Sequence, residues 1–585
     1  MVTTAIAPSA HRARSTALWA VAAIAGIVAV FALVVVWSVR SGAIHRAYSD
    51  DWGYLRIAER FVHDGHLEGV GWNDTALVGQ LLASKLISPV TGGTVAGLRV
   101  LSILCAAGSL VLVGFLARKS RASGLWAVAP LTLVVMIGFG STVATYMTEQ
   151  AALVGQLGSL AIGLVVWNRW QRSGRLPVGW LAALVVTGIW ASSIRQAAVV
   201  APVAVLAALL THPRAQRRDR RVLVAVALAI AASVLLLQMF TPLSGPTMAI
   251  VRGSLTGQIA RIYQAAATVA LFIAPVTLLT GWLGRTFRIV ARSWTTARGR
   301  AMLIGLGVLV VAGAALLHHR DGSLLVGNSL QQAGGYQGTD ISFPHLFDPV
   351  SWTFVEVLSA VALFLFLVVL VEGIRSARRQ GRGLVERVRS ASALSRIAVA
   401  WTALSVLSAL AVNFAYRAIY DRYLIPIVIG LALLALDNRI KVAQSHQRMT
   451  VTAVMFVPLL VLGVLSATDS QDILDLRWAG GDRLVAMGYD ASTIDAGFDW
   501  MGYHYPGTAR PDGIVEQPAS YPPATYDVFF PSFVRCAFVS GDAVAPAGYT
   551  LVGRISGDRL FGLRSTTAYL YGISNGGTSC PAIRS

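Results

Sequence analysis

About thirteen times along this 585-residue chain an apolar run recurs that approaches or exceeds the ~20 residues a helix needs to cross a bilayer. The runs cover 15–38, 94–117, 124–145, 150–168, 177–193, 196–211, 221–241, 264–284, 301–318, 353–373, 394–414, 422–437 and 450–467. In hydrocarbon every backbone N–H and C=O must be satisfied internally, and segments of this kind achieve that as helices. The expected fold is mainly α: a polytopic membrane domain of about 13 transmembrane helices over residues 1–467. Only 13% of the residues are charged, against ~25% in an ordinary soluble domain, which agrees.

A formal charge of +20 invites a nucleic-acid reading, so the placement of the basic residues has to decide. Roughly 28 of the 48 Lys and Arg stand at the N-terminus (Arg12, Arg14) and in the loops Arg118–Arg121, Arg169–Arg175, Arg214–Arg221, Arg285–Arg300, Arg375–Arg396 and Arg439–Arg448. These are alternate loops, and the intervening ones are near neutral or acidic. That is the asymmetry of a cytoplasmic membrane face, and nucleic acid is not needed to explain it. The first apolar run is too long for a signal-peptide core and has no small-residue cleavage site after it, so it reads as a retained anchor. The expectation is a multi-pass plasma-membrane protein, surrounded by membrane lipids.

Three outward segments are long: 39–93, 242–263 and 319–352, the last carrying Gly334-Gly335-Tyr336-Gln337-Gly338. In the first, Leu55, Ala58 and Val62 make a helical apolar stripe expected to lie along the membrane interface. Residues 468–585 read as a small exterior α+β domain. It contains a helix over Ile473–Met487 and strands over Asp527–Phe530, Tyr549–Ile555 and Leu560–Leu563, with Gly557-Asp558 as a hairpin turn. Of three cysteines, Cys105 lies in an apolar run, whereas Cys536 and Cys580 share the exterior region, where a disulfide is expected to persist.

The residues that carry chemistry gather at the outward ends of the runs. Asp50 and Asp51 open the amphipathic helix of the first loop. One acid suffices for an N-cap; a pair also supplies a general base with a neighbour that tunes it or organises a cation. Glu149, in Tyr146-Met147-Thr148-Glu149, occupies a very short outward connection; it is either a loop-marking acid or one held at the outer level of Asp50, facing the same space. Arg195 is the only Lys or Arg between Gly179 and Leu210 and breaks the basic-inside trend; it is either a snorkelling anchor or a ligand for an anion. Arg417-Ala418-Ile419-Tyr420-Asp421-Arg422-Tyr423 breaks the trend again, either as an interfacial belt or as a phosphate-binding group. Ile494-Asp495-Ala496-Gly497-Phe498-Asp499-Trp500 suits carbohydrate, or is a packed turn.

Taken in order, these motifs resemble the GT-C superfamily of polyprenyl-phosphate-sugar-dependent glycosyltransferases, in particular protein O-mannosyltransferases and lipid A aminoarabinose transferases. Asp50-Asp51 with the Tyr54-containing helix is similar to the family's acidic pair in the first exterior loop. Met147-Thr148-Glu149 resembles its second acidic motif, Ser193-Ile194-Arg195-Gln196 its arginine turn, and Arg422-Tyr423-Leu424-Ile425-Pro426 its Arg-Tyr-Leu-x-Pro signature. The resemblance implies inverting sugar transfer from a polyprenyl-phosphate donor to a hydroxyl of an envelope glycan, lipid or protein. Asp50 and Asp51 are then the catalytic acids, with Asp50 as base. Tyr54, Glu149, Arg195, Arg417, Tyr420, Arg422 and Tyr423 bind substrate, and any divalent cation (Mg or Mn) sits on Asp50, Asp51 and Glu149. An Ala- and Arg-rich composition fits a high-GC bacterium, for which mannosyl or arabinofuranosyl transfer is the expectation. The rival readings are a lipid-linked-sugar flippase or transporter, whose ionisable groups tend to lie near the midplane, and a noncatalytic envelope-assembly scaffold.

Overall fold

The computed structural model describes residues 10–71, 77–240, 254–321, 323–327, 332, 343, 345–379, 391–416, 419–438, 446–509, 530, 533–573 and 580. Arg417, Trp72–Thr75, most of 242–263, Gly334–Gly338 and most of Asp527–Phe530 lie outside the described residues. In chain order the helices are α1 (Ala10–Arg40), α2 (Asp51–Asp64), α3 (Val78–Thr91), α4 (Val95–Arg118), α5 (Val128–Val135), α6 (Ile137–Gly140), α7 (Thr148–Ser173), α8 (Val178–Ile194) and α9 (Val200–Leu210). They continue as α10 (Arg217–Phe240), α11 (Leu255–Leu279), α12 (Trp282–Trp294), α13 (Ala297–Asp321), α14 (Pro349–Arg379), α15 (Ala393–Tyr416), α16 (Ile425–Asp437), α17 (His446–Ala486) and α18 (Phe498–His504).

The protein is a mainly α multi-pass membrane protein. Among the described residues nine helices are long and apolar enough to span a bilayer. The other four runs, 124–145, 177–193, 196–211 and 422–437, form shorter or broken helices. Rows of Leu, Val and Phe on α1, α10, α13 and α14 stay exposed, which in a membrane means contact with lipid. The run 124–145 is broken by extended backbone at Met136, and its second half closes in turns where Thr142 and Thr145 bond nearby carbonyls. Gly138 stands there because a β-carbon would come within 2.9 Å of the Arg422 backbone.

One end of the bundle is tied together by the basic loops. The Arg121 N–H donates to Asp437 (3.2 Å), Ser395 donates to the same carboxylate, and Arg396 donates to the Thr211 carbonyl (2.7 Å). Glu149 lies at the start of α7 and Arg172 at its finish, so the acids stand one α7 length, about 39 Å, from the basic end.

The expected division at residue 467 falls inside α17, one continuous helix of 41 residues that covers the expected Ile473–Met487 helix up to Ala486. Its far half carries a four-stranded sheet in the order β1-β2-β4-β3, from β1 (Ile494–Asp495), β2 (Ala537–Ser540), β3 (Tyr549–Arg559) and β4 (Arg564–Ile573). β1 runs parallel to β2, and the other two pairings are antiparallel. Cys536 and Cys580 are joined by a disulfide, and Cys105 is free and buried. The hairpin turn is Leu560–Leu563, a stretch expected as strand, and Gly557-Asp558 lies within β3. Tertiary contacts override the local signal. Arg559 grips Asp469 through two nitrogens (2.7 and 2.8 Å), Leu560 N–H bonds Asp472 (3.0 Å), and Phe561 packs on Trp37 (4.5 Å). Leu560, Phe561 and Gly562 consequently take positive φ.

The apolar stripe of α2 does not lie on lipid. Trp52, Leu55, Ile57 and Ala58 are fully buried in one core with Ile473, Leu484, Trp500 and Leu570. Trp52 packs on Phe498 and Phe530. Gly502 has no room for a side chain, since a β-carbon would meet the Trp52 ring at 2.2 Å. The first loop and the C-terminal segment thus fold together, and the Ile494–Trp500 segment is a packed turn: Asp499 is sealed against Arg477 (2.6 Å) and Trp478 (2.8 Å).

Candidate active site

Four short segments converge at the end of the bundle away from the basic loops: the start of α2, the start of α7, the α8–α9 turn and the 3-10 turn Asp421–Leu424 before α16. Glu149 enters through the first turn of α7, where the helix N-terminus favours an acid. Arg195 occupies the extended residue between α8 and the 3-10 turn Gln196–Val199, so its side chain leaves the helical direction and crosses to α7. Its Nη1 donates to Glu149 Oε1 (2.7 Å) and to Thr148 Oγ1 (3.0 Å).

Arg422 is the hub. Its Nε lies 2.9 Å from Glu149 Oε1, within ion-pairing distance but off the line of a hydrogen bond, and its Nη2 lies 3.5 Å from Asp50 Oδ2. The guanidinium stands over the rings of Tyr420 (5.0 Å) and Tyr423 (5.6 Å), while Arg195 stands over Tyr423 (4.8 Å). The two tyrosines meet edge to face at 5.3 Å. Glu149, Arg195, Arg422 and Tyr423 line a cavity of about 320 Å³ between α7, α9, α15 and α16. Guanidiniums keep their charge under all ordinary conditions, so the wall is permanently cationic around one buried acid.

The two adjacent aspartates have separated roles. Asp50 is the N-cap residue of α2, yet its side chain makes no capping bond, and it remains about 31% exposed. Asp51 is wholly buried. It accepts from Arg99 Nη2 (2.7 Å), from the Tyr146 N–H (3.0 Å) and from the Tyr48 N–H. Burial pushes its carboxyl above the ordinary range, while Arg99 and the two N–H groups pull it back. Asp51, expected as a catalytic acid, is enclosed by the protein, and its bonds tie the first loop to the turn that carries Glu149. Tyr54 is likewise buried, near enough to act electrostatically on Arg195.

Arg99 escaped the sequence reading, although a lone arginine inside the apolar run 94–117 was a signal for a buried partner. Gln150, Gln156, Ser405 and Ser408 in the cavity wall escaped it too, because single Gln and Ser residues in apolar runs carry no pattern. Among the described residues no group of three or more His, Cys, Asp or Glu is placed to hold a metal ion. Asp51 is closed off by Arg99, and the Arg422 guanidinium stands between Asp50 and Glu149. These three acids do not fit a shared divalent-cation site in this arrangement.

No protein-family model matches the chain, and no curated protein matches it in sequence. Solved structures resemble it at low identity. ArnT from Cupriavidus metallidurans in the apo state is 12% identical, with 92% of this chain and 97% of that one covered and a TM-score of 0.35. The Archaeoglobus fulgidus oligosaccharyltransferase is 16% identical over 76% of this chain and 56% of its own, with a TM-score of 0.42. Arabinosyltransferase EmbB from Mycobacterium smegmatis is 16% identical over 73% and 43%, with a TM-score of 0.32. Likeness at this level decides nothing about function; the side chains have to.

Proposed function

We propose that the chain is a GT-C-type membrane glycosyltransferase. It moves a sugar from a polyprenyl-phosphate donor to an acceptor hydroxyl on an envelope glycan, lipid or protein. The site faces the outer side of the plasma membrane, with the sheet domain on that side. The observation that carries this reading is Arg422, one guanidinium that reaches both Asp50 and Glu149 from the wall of the 320 Å³ cavity.

The partly exposed Asp50 is the general base. It takes the acceptor hydroxyl proton as the oxygen forms its bond to the anomeric carbon on the face opposite the phosphate. The carbon–oxygen bond to phosphate breaks, and its electron pair stays on the phosphate oxygen. Arg422 and Arg195 stabilise the charge that grows there. Tyr420 and Tyr423 hold the guanidiniums in plane, and Glu149 orients both while offsetting one charge. Two arginines against Glu149 and the Asp50 base leave no net charge, so the phosphodiester monoanion is met by the directed N–H groups of the guanidiniums.

The prenyl chain has a place to go. An apolar cavity of about 830 Å³, lined by Phe347, Phe354, Leu434 and Leu459 among others, shares α16 with the polar one. A flippase or transporter without transferase activity is the alternative, but the acids and guanidiniums of this cavity stand at helix ends rather than near the midplane. The test is transfer itself. Purified protein in lipid nanodiscs is given labelled prenyl-phosphate sugars and hydroxyl acceptors. Wild type turns over, whereas Asp50→Asn loses about 10²–10⁴ in rate and Arg422→Lys about 10²–10³. Turnover by Asp50→Asn at the wild-type rate rejects the assignment.

A further inference from the structure

One helix at the basic end of the bundle takes no part in the candidate active site. α12 joins the end of α11 to the start of α13. α15 runs from Arg396, which bonds the Thr211 carbonyl at the basic end, to Asn413, which donates to the Gln258 carbonyl near the start of α11 (3.2 Å). α11 therefore begins at the site end, and its 25 residues carry the chain about 38 Å to the basic end. There Gly281, at a φ of 80°, turns the chain into α12. At 13 residues α12 is too short to cross a bilayer.

Its three faces have separate surroundings. Arg285, Arg288 and Arg292, at i, i+3 and i+7, share one stripe and are all exposed. Phe287 and Trp294, seven residues apart, share another and are 57% and 55% exposed. Successive residues turn by ~100°, so the two stripes lie on opposite sides of the helix. Between them Thr286 is buried, donating to the Trp282 carbonyl (3.0 Å), and both line the apolar cavity with Leu365 and Pro458. Arg298 and Arg300 follow α12 and are exposed too. No Asp or Glu occurs between Leu255 and Arg320. Among the described residues, none of these five guanidiniums is paired with an acid.

Aromatic side chains on one side, unneutralised arginines on the other and the bundle between them make a helix built for a charged membrane surface. An isologous contact with a second copy would set arginine against arginine. A soluble polyanion would meet the arginines and leave Phe287 and Trp294 in water. An anionic phospholipid meets both stripes. We propose that α12 is an interfacial helix that selects anionic phospholipids in the leaflet at the basic end. Arg285, Arg288 and Arg292 hold the headgroup phosphates, and Phe287 and Trp294 sit against the upper acyl chains. Arg298 and Arg300 extend the same cationic surface.

The test is photo-crosslinking of the full chain in phosphatidylcholine nanodiscs. The probes are phosphatidylglycerol and phosphatidylethanolamine, each with a diazirine high in one acyl chain, and labelled peptides are mapped by mass spectrometry. The phosphatidylglycerol probe should label residues 282–294 at least about fivefold more than its zwitterionic counterpart. An arginine at an anionic surface is worth about fivefold in affinity, so Arg285→Gln/Arg288→Gln/Arg292→Gln should abolish that preference. Arg217→Gln/Arg218→Gln/Arg221→Gln, at the start of α10, should leave it in place. In wild-type protein ~1 M salt should erase most of it by screening, a comparison that stands even if a variant fails to fold. Equal labelling by the two probes in wild type overturns the proposal. So does an α10 variant that loses as much preference as the α12 variant, because the attraction then belongs to the basic face at large. Displacement of the lipid probe by millimolar glycerophosphate also overturns it, since the site would then read a free phosphate and not a lipid.

Discussion

Replacing Asp51 should damage the fold, whereas replacing its neighbour Asp50 should damage only the chemistry. The Asp51 and Arg99 side chains are 0% and 1% exposed, so Asp51→Ala strands a guanidinium in a dry interior. Removing one partner of a buried pair costs about 3–5 kcal/mol. The Tyr48 and Tyr146 N–H groups lose their acceptor as well, at about 1–3 kcal/mol each where nothing replaces it. These terms overlap, and about 4–6 kcal/mol is a reasonable whole. For a chain of this size, at no more than ~2 °C per kcal/mol, the unfolding midpoint falls by roughly 5–10 °C. Asp50→Asn, partly exposed and outside any cap bond, shifts stability by less than about 1 kcal/mol. The assay is thermal unfolding in one detergent, followed by tryptophan fluorescence, for both variants. Asp51→Asn combined with Arg99→Gln, which removes both charges, should recover part of the loss. A stable but inactive Asp51→Ala, or an Asp50→Asn as unstable as Asp51→Ala, would refute the division of roles.

Gly138→Ala should act on the site from outside it. Its β-carbon meets the Arg422 backbone at 2.9 Å, and a displacement of about 1 Å at a catalytic group costs up to ~10² in rate, so kcat/KM falls while the protein stays folded. Gly502→Ala should loosen the sheet domain from α2 by about 1–3 kcal/mol, seen as faster proteolysis after residue 504, because the Trp52 ring cannot move aside. His504 is held by burial, and secondarily by Arg56, at a pKa lowered from its ordinary 6.5 to about 4. The unfolded chain therefore takes up a proton first on acidification. The stability this residue contributes is complete above pH 6.5 and is lost as pH falls towards 4, by about 3 kcal/mol at the limit. His504→Phe should flatten that part of the pH–stability curve.

Much of this was legible in the sequence, for reasons that differ by element. Membrane helices announce themselves by length and apolarity. Arg195 and Arg422 were legible because each breaks the basic-inside trend at a helix end, Asp50 and Glu149 because each is an acid at the outward end of an apolar run, and the fold brings all four together. The role of Asp51 was not legible. Its partner Arg99 is 48 residues away, and only the packing of α4 beneath the first loop makes the pair. The α2 stripe looked like an interfacial helix because a sequence cannot distinguish an apolar face covered by lipid from one covered by Trp500 and Leu570. The hairpin turn was misassigned because Asp469 and Asp472, some ninety residues before it, pull Arg559 and Leu560 out of the local preference. The domain boundary failed for a related reason: α17 leaves the bundle without changing its helix.

An experimental structure with a non-hydrolysable prenyl-phosphate sugar bound is the most direct measurement of the central claim. The phosphate should lie within ~3 Å of the Arg422 and Arg195 guanidiniums, with the anomeric carbon of the sugar facing Asp50. A phosphate bound elsewhere, with Arg195 and Arg422 still locked on Glu149 alone, would contradict it.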